Sequence, residues 1–428
     1  MSISLFIMEL VFVLSLCGMS YTLIGTGFQN GMPSITESKS ISTQSWPTDG
    51  WLVSTPEEQG VDSNRLGEMM DYIRVNDIDI DSVLVVKRGH LIFEEYLSSL
   101  YTSDTKHSIH SCTKSFTSAL VGIAIQEGYI GSVNDKLVDY FQNRTIANLD
   151  TRKQSITIEH LLTMTSGLEW DEWSLAYGEY GNDATDMFRS SDAIQYVLDR
   201  PMAHDPGESW TYNSGGSHIL GAIVATTSGQ TLYEFAFEQL FEPLGILDYN
   251  LDWYRDQNGY YSAGGGLSMR PRDMAKFGHL FLNNGTWDNQ QILPAEWVEK
   301  SVQTSFIFSE YSGYGYQWWT NPTDAASVYS AQGYAGQFIF VIPSLDMVVV
   351  FTSGVPPYEL HPHTSMLFEY IIPAATESNM STVPIIDSIT LVLLVVVPVP
   401  ALLAGVYWNL KMNRGPNNGT TIKSDRRN

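Results

Sequence analysis

The stretch from Phe116 to Ile125, Phe-Thr-Ser-Ala-Leu-Val-Gly-Ile-Ala-Ile, constrains the fold more than any other. Phe116, Leu120, Ile123 and Ala124 recur at helical spacing, and Val121 and Ile125 widen the apolar stripe toward the full circumference. A helix that is apolar on most sides must be buried on most sides, so the chain has to build a domain around it. Gly128 supplies the C-terminal stop. The helix opens with Ser111-Cys112-Thr113-Lys114, and a serine and a lysine three apart share one face about one turn apart. In low dielectric the ammonium is disfavoured, so a neutral Lys114 can take the proton of Ser111 and leave it nucleophilic. The pattern is short, and Ser103-Asp104-Thr105-Lys106 also fits it. That copy lies in a polar run, 102–108, with no apolar periodicity behind it.

Composition narrows the partners. At 43% hydrophobic, 428 residues have ample material for a core. A net charge of -24 argues against nucleic acid and against anionic membrane surfaces. The two cysteines, Cys17 and Cys112, make no disulfide framework, and the nine histidines include no His-Glu-x-x-His. His361-x-His363 reads as an ordinary loop pair rather than a metal site. Neither metal nor organic cofactor is expected.

The two ends read as membrane segments. Residues 5–17 are apolar apart from Glu9 and fit the core of a signal peptide or N-terminal anchor over 1–27, although a basic n-region is missing. Residues 28–45, rich in Ser, Thr, Gly and Asn, read as a linker. Near the other end, Ile389 to Trp408 is uncharged and long enough to span a bilayer. Tyr407 and Trp408 sit at the interface, and Lys411, Arg414, Lys423, Arg426 and Arg427 follow in a tail, 409–428, that belongs in the cytoplasm. Residues 376–388 link this span to the domain at 46–375, which is thereby expected outside the cell membrane. The span count is one, or two if the N-terminal segment is retained. Asn143, Asn284 and Asn379 head glycosylation patterns that would be accessible there.

Along the domain, a helical pattern runs from Asp62 to Asn76. Residues 82–87 and 90–96 flank Arg88-Gly89 as a β-hairpin. Residues 156–168 read as a short helix capped by Thr157, with further helical patterns at 190–198, 216–227, 270–282 and 361–372. Ala263-Gly264-Gly265-Gly266 lacks the Gly-Lys-Ser/Thr of a phosphate loop and reads as a tight turn. Residues 327–332, 338–342 and 347–352 are strand-like. Strands at both ends and helices between them imply an α+β domain whose sheet is made from the two chain ends, with a helical insert.

Several linked stretches, in order, give the chain a family resemblance. They are Ser111-Cys-Thr-Lys114, Leu161-Leu-Thr-Met-Thr-Ser-Gly-Leu168, the segment Pro206-Gly-Glu-Ser-Trp-Thr-Tyr212-Asn-Ser214 to Gly221, Ala263-Gly-Gly-Gly-Leu-Ser, and Tyr314-Gly-Tyr-Gln-Trp-Trp319. Over about residues 46–375 the chain resembles the serine β-lactamase-related group of class C β-lactamases, D-alanyl-D-alanine carboxypeptidases, esterases and aminohexanoate-dimer hydrolases. The wording Ser-Cys-Thr-Lys-Ser is most similar to the aminohexanoate-dimer hydrolase branch. The resemblance implies a β-lactamase/transpeptidase-like fold, with an antiparallel sheet flanked by helices and a mostly helical subdomain. It implies Ser111 as nucleophile, Lys114 as its base and Tyr212 as a second acid/base able to protonate the leaving group. Lys114 and Tyr212 are then treated as a coupled pair. It also places the family's third motif at Ala331-Gln332-Gly333, with the N–H groups of Ser111 and Tyr334 as oxyanion hole.

Two departures bear on substrate. Neither Ala331 nor Gln332 is basic, so a charged partner for a lactam or peptide carboxylate is missing. Ser214 replaces the asparagine of Tyr-x-Asn. Both favour a small ester or amide over a β-lactam. Ser214, Gln332 and Gly333 are the expected substrate contacts, with Trp170 drawn from an aromatic group, Trp170, Trp173, Tyr177 and Tyr180, suited to an acyl pocket. The rivals are a D,D-carboxypeptidase or β-lactamase, and a surface binding protein that kept the fold and lost catalysis.

Overall fold

The computed structural model describes residues 46–322, 328–355 and 362–376. The expected segments 1–27 and 28–45, the run 389–408, the basic tail, His361 and Asn379 lie outside the described residues. Among those described, no helix is long and apolar enough to cross a membrane.

The main sheet has nine strands among the described residues: β1 (Leu52–Val53), β2 (Ile80–Lys87), β3 (His90–Tyr96), β4 (Phe306–Ser309), β5 (Ser312–Tyr314), β6 (Trp319–Thr320), β7 (Tyr329–Gly333), β8 (Gln337–Ile342) and β9 (Met347–Ser353). Their spatial order is β1-β3-β2-β9-β8-β7-β6-β5-β4. Strands from the two ends of the domain therefore meet at β2 and β9, with Val85 opposite Val349. One expectation is corrected: the sheet is mixed, because β1 runs parallel to β3, Leu52 opposite His90. Two exposed residues make that edge strand, and no alternation in them announces it.

The helices that position the site are α1 (Ser63–Val75), α2 (Thr113–Gln126), α3 (Ile158–Leu162), α4 (Ser214–Ser228) and α5 (Pro271–Leu282). Every residue of β2 is buried, which an antiparallel strand requires only when both its faces are covered. Val83 and Val85 face one core with Phe340, Val349 and Phe351, closed by Leu66, Met69, Met70 and Ile73 of α1 and by the helical run 362–376. Leu84 and Val86 face the other, with Ile339, Val348 and Val350, closed by α2 and α5. The hairpin turns through Arg88 (φ 50°) and Gly89 (φ 75°), the doubled left-handed geometry that matches strand twist.

α2 is buried from Thr113 to Ala124 and ends as the glycine implied. Gly128 takes φ 76° while the N–H of Tyr129 reaches back to Ala124 O at 2.9 Å. The expected helix at 156–168 is shorter than its pattern. Thr157 caps α3 by accepting from His160 N, but the helix stops at Leu162. Met164 (φ 61°) and Gly167 (φ 75°) then turn the chain away, and the hydroxyl of Thr163 donates to Glu159 O at 2.8 Å in competition with the helical ladder. The glycine run does turn tightly, and leads into strand 267–269 beside residues 107–108. The N–H of Ile109 donates to Leu267 O at 3.0 Å, which fixes the glycine run next to Ser111. On the surface, Asn143 and Asn284 are exposed.

Candidate active site

Ser111 lies in a single 3₁₀ turn, His110–Cys112, that feeds α2. His110 holds φ 45°, a left-handed conformation costing a non-glycine residue about 1–3 kcal/mol. The turn is secured by Thr113 Oγ1 donating to His110 O at 2.6 Å and by Cys112 N–H donating to Ile109 O at 3.1 Å. One turn on, Lys114 is 1% exposed. Its Nζ stands 3.0 Å from Ser111 Oγ, 2.9 Å from Ser214 Oγ and 2.5 Å from Gly264 O. Burial pulls its pKa down to about 8, with the Glu172 carboxylate opposing the shift. A neutral amine next to a serine hydroxyl is thus accessible near neutral pH.

Tyr212 arrives from the loop ahead of α4, whose first turn Asn213 caps by accepting from Gly216 N at 2.8 Å. Its phenol lies close enough to Ser111 for the hydroxyl to act on its titration. Lys114 Nζ lies 4.7 Å from the centre of its ring, and Trp173 meets it edge-on at 5.3 Å. Burial pushes the phenol well above its usual range, the Glu172 charge adds to this, and the nearby Ser111 hydroxyl opposes it. The phenol therefore holds its proton and can deliver it. Residues 101 apart in the chain by number, 111 and 212, come into contact because α2 and α4 share one core.

Glu172 was not legible as a site residue. It is 2% exposed and accepts from Ser214 N (3.0 Å), Ser214 Oγ (2.8 Å), Trp170 Nε1 (2.6 Å) and Tyr177 OH (3.0 Å). The signal available was an acid set inside an aromatic run, Trp170-Asp171-Glu172-Trp173, where a carboxylate without partners would be costly.

The end of β7 lies against the Ser111 turn. A Cβ on Gly333 would stand 2.3 Å from Ile109 O, so only glycine admits this approach. Cys112 Sγ donates to Gln337 O at 3.4 Å, and the rings of His110 and Tyr334 meet at 5.6 Å. Gln332 is half-buried and donates to Ser330 Oγ at 2.9 Å. Ser214 is buried, its hydroxyl engaged by Lys114 and Glu172. Of the aromatic group, Trp170 turns inward: it is 6% exposed, packed over Gly215, with its N–H on Glu172. Trp173 and Tyr177 stand at the rim, 53% and 43% exposed, and Tyr177 meets Tyr334 at 5.5 Å. Tyr180 is out on the surface against Arg189. The second Ser-x-x-Lys copy is elsewhere, its Lys106 paired with Asp252 at 2.6 Å.

Gln317 ties the parts together. Its amide donates to Leu161 O (3.0 Å) and Leu162 O (2.9 Å) of α3 and accepts from Ser217 Oγ (2.6 Å) of α4. Its own carbonyl accepts from Ser115 Oγ (2.7 Å) of α2.

The Beta-lactamase family model matches residues 76–364. Over 325 residues the chain is 25% identical to the 6-aminohexanoate-dimer hydrolase of Paenarthrobacter ureafaciens, covering 71% of this chain and 80% of that one. Two solved structures share the fold. The octameric penicillin-binding protein homologue from Pyrococcus abyssi has a TM-score of 0.56 at 20% identity, covering 73% of this chain and 78% of that one. EstCE1, a hydrolase with promiscuous acyltransferase activity, has a TM-score of 0.60 at 15% identity, covering 73% and 97%.

Proposed function

The chain belongs to the Beta-lactamase family, and from that membership we propose a serine hydrolase that cleaves a small carboxylic ester or amide through an acyl-enzyme on Ser111. The observation that carries the reading is the buried Lys114 amine, 3.0 Å from Ser111 Oγ and lowered to about 8, beside a phenol that keeps its proton. Lys114 takes the serine proton as Oγ attacks the carbonyl carbon. The N–H groups of Ser111 and Tyr334 hold the oxyanion, and Tyr212 protonates the departing oxygen or nitrogen. The proton on Lys114 then restores the phenol, and water repeats the sequence against the acyl group.

An ester or amide is favoured over a lactam because positions 331 and 332 are Ala and Gln, which offer no cation to a carboxylate. The relative named 6-aminohexanoate-dimer hydrolase supports an amide in particular. The aromatic rim of Trp173, Tyr177 and Tyr334 suits a neutral, apolar acyl group. The acidic domain is read as held outside the cell membrane by residues 389–408, with the basic tail inside; exposed Asn143 and Asn284 fit that side.

The test is labelling by a fluorophosphonate probe, followed by a panel of esters, amides and nitrocefin. Wild type should label and Ser111→Ala should not, with esters or amides turned over ahead of nitrocefin. A folded wild type that does not label refutes the hydrolase, and dominant nitrocefin turnover refutes the substrate class. Removing residues 386–428 should release the domain from membranes; unchanged fractionation refutes the anchor.

A further inference from the structure

We propose that Glu172 is a positioning residue of this site: through Ser214 it sets the direction of the hydrogen bonds around Lys114, so that the amine's lone pair faces Ser111. The inference rests on the acyl-serine reading above and adds to it the group that makes the base point the right way.

An ionised carboxylate has about four lone-pair sites and no proton. Glu172 meets four donors, and two of them, the indole of Trp170 and the N–H of Ser214, can only donate. Ser214 has a single hydroxyl proton, and it goes to Glu172 Oε1 at 2.8 Å. Toward Lys114, 2.9 Å away, Ser214 then presents only lone pairs. Gly264 O, at 2.5 Å, presents only lone pairs as well. Both neighbours therefore demand an N–H. A neutral amine has two N–H bonds and one lone pair, so the lone pair falls to the third neighbour, Ser111 Oγ at 3.0 Å.

The proton balance follows. The Ser111 O–H bond breaks, an N–H bond forms on Lys114, and the electron pair left on oxygen makes the bond to the carbonyl carbon. The resulting ammonium has three N–H bonds for its three acceptors, with the Glu172 charge one hydroxyl away. Were Ser214 free to turn, it would donate to the amine, and Ser111 would face an N–H instead of a lone pair. The other titratable groups around Lys114 are Cys112, Tyr212 and His110. Burial keeps each uncharged near neutral pH, raising the thiol and the phenol and lowering the imidazole. Glu172 is the charge in this field.

The test is Glu172→Gln in the full chain, read by the rate of fluorophosphonate labelling and by kcat/KM against pH. An amide keeps the shape but brings two N–H groups to meet a cluster of donors, so Ser214 is no longer directed. Labelling and kcat/KM should fall at least about tenfold with KM unchanged. The acidic limb should also move to lower pH, because the charge that favours the ammonium is gone. A role in packing alone would lower the amplitude and leave that limb in place. Labelling at the wild-type rate, or an unmoved limb, overturns the proposal. Should Glu172→Gln fail to fold, Ser214→Ala decides: slowed labelling supports the relay and wild-type labelling overturns it. A wild type that never labels overturns the hydrolase reading itself, whereas a labelled wild type with an unaffected Glu172→Gln overturns only this inference.

Discussion

Adding one methyl group at Gly333 should separate catalysis from folding. Gly333 closes β7 opposite Gln337, and a Cβ there would stand 2.3 Å from Ile109 O and 3.0 Å from the Gln337 Cβ. Carbon–oxygen contacts are ordinarily no shorter than about 3.3 Å, so Ile109 and Gly333 must part by about 1 Å. Gln337 blocks retreat on the far side. The carbonyl that must move is the acceptor of Cys112 N–H, so the displacement enters the turn that carries Ser111. The two N–H groups assigned to the oxyanion lie on either side of this contact. A misplacement of about 1 Å costs about 100-fold in rate, and a lost oxyanion donor about 3–4 kcal/mol. The kcat of Gly333→Ala on a p-nitrophenyl ester should therefore fall about 100- to 1000-fold. Overpacking should cost about 1–3 kcal/mol of stability, measured by urea unfolding so that rates are compared within the folded range. A folded Gly333→Ala with kcat within about fivefold of wild type would refute the placement of the oxyanion hole.

The other predictions concern the proton carriers and the frame around them. Lys114→Ala and Tyr212→Phe should each lower kcat about 100- to 10,000-fold with little change in KM; a loss confined to KM would remove them from the chemistry. Because the active form of Lys114 is the neutral amine, and burial brings its pKa down to about 8, kcat/KM should climb as pH passes from 6 to 9. A flat profile across that range would contradict Lys114 as base. Gln317→Ala removes the amide's bonds to Leu161 O and Leu162 O, which keep backbone donors, and takes the acceptor from the buried Ser217 hydroxyl; it should cost about 1–3 kcal/mol, seen as an earlier urea midpoint at unchanged m-value. An unmoved midpoint would mean that α3 and α4 are joined by other contacts.

Legibility in the sequence followed periodicity. The helix behind Ser111, the hairpin at Arg88-Gly89 and the strands of 329–353 could be read because apolar spacing and turn residues agree there. The chain-end origin of the sheet followed from the same pattern. The parallel edge pair β1–β3 could not be read, since Leu52 and Val53 carry no alternation and their partner is chosen by the path of the chain. α3 looked longer than it is because Leu161, Leu162 and Leu168 mimic helical spacing, while the Thr-rich 163–166 stretch breaks the ladder. At the site, Ser111 and Lys114 were readable from local geometry. Tyr212 needed its flanking stretch, and Glu172 depends on four donors gathered by folding, which spacing cannot express.

The seam between β2 and β9 also sets an order of events. Ser82 Oγ and Thr352 Oγ1 meet at 2.6 Å across a separation of 270 residues, and the catalytic turn leans on strands from that same distal stretch. While the ribosome is still adding those strands, the early hairpin has no neighbour and the nucleophile no frame. Such long closures are slow and leave apolar edges bare meanwhile. A nascent chain of this design is inert until strands β7 to β9 have been made, so no partial product can act ahead of the whole domain.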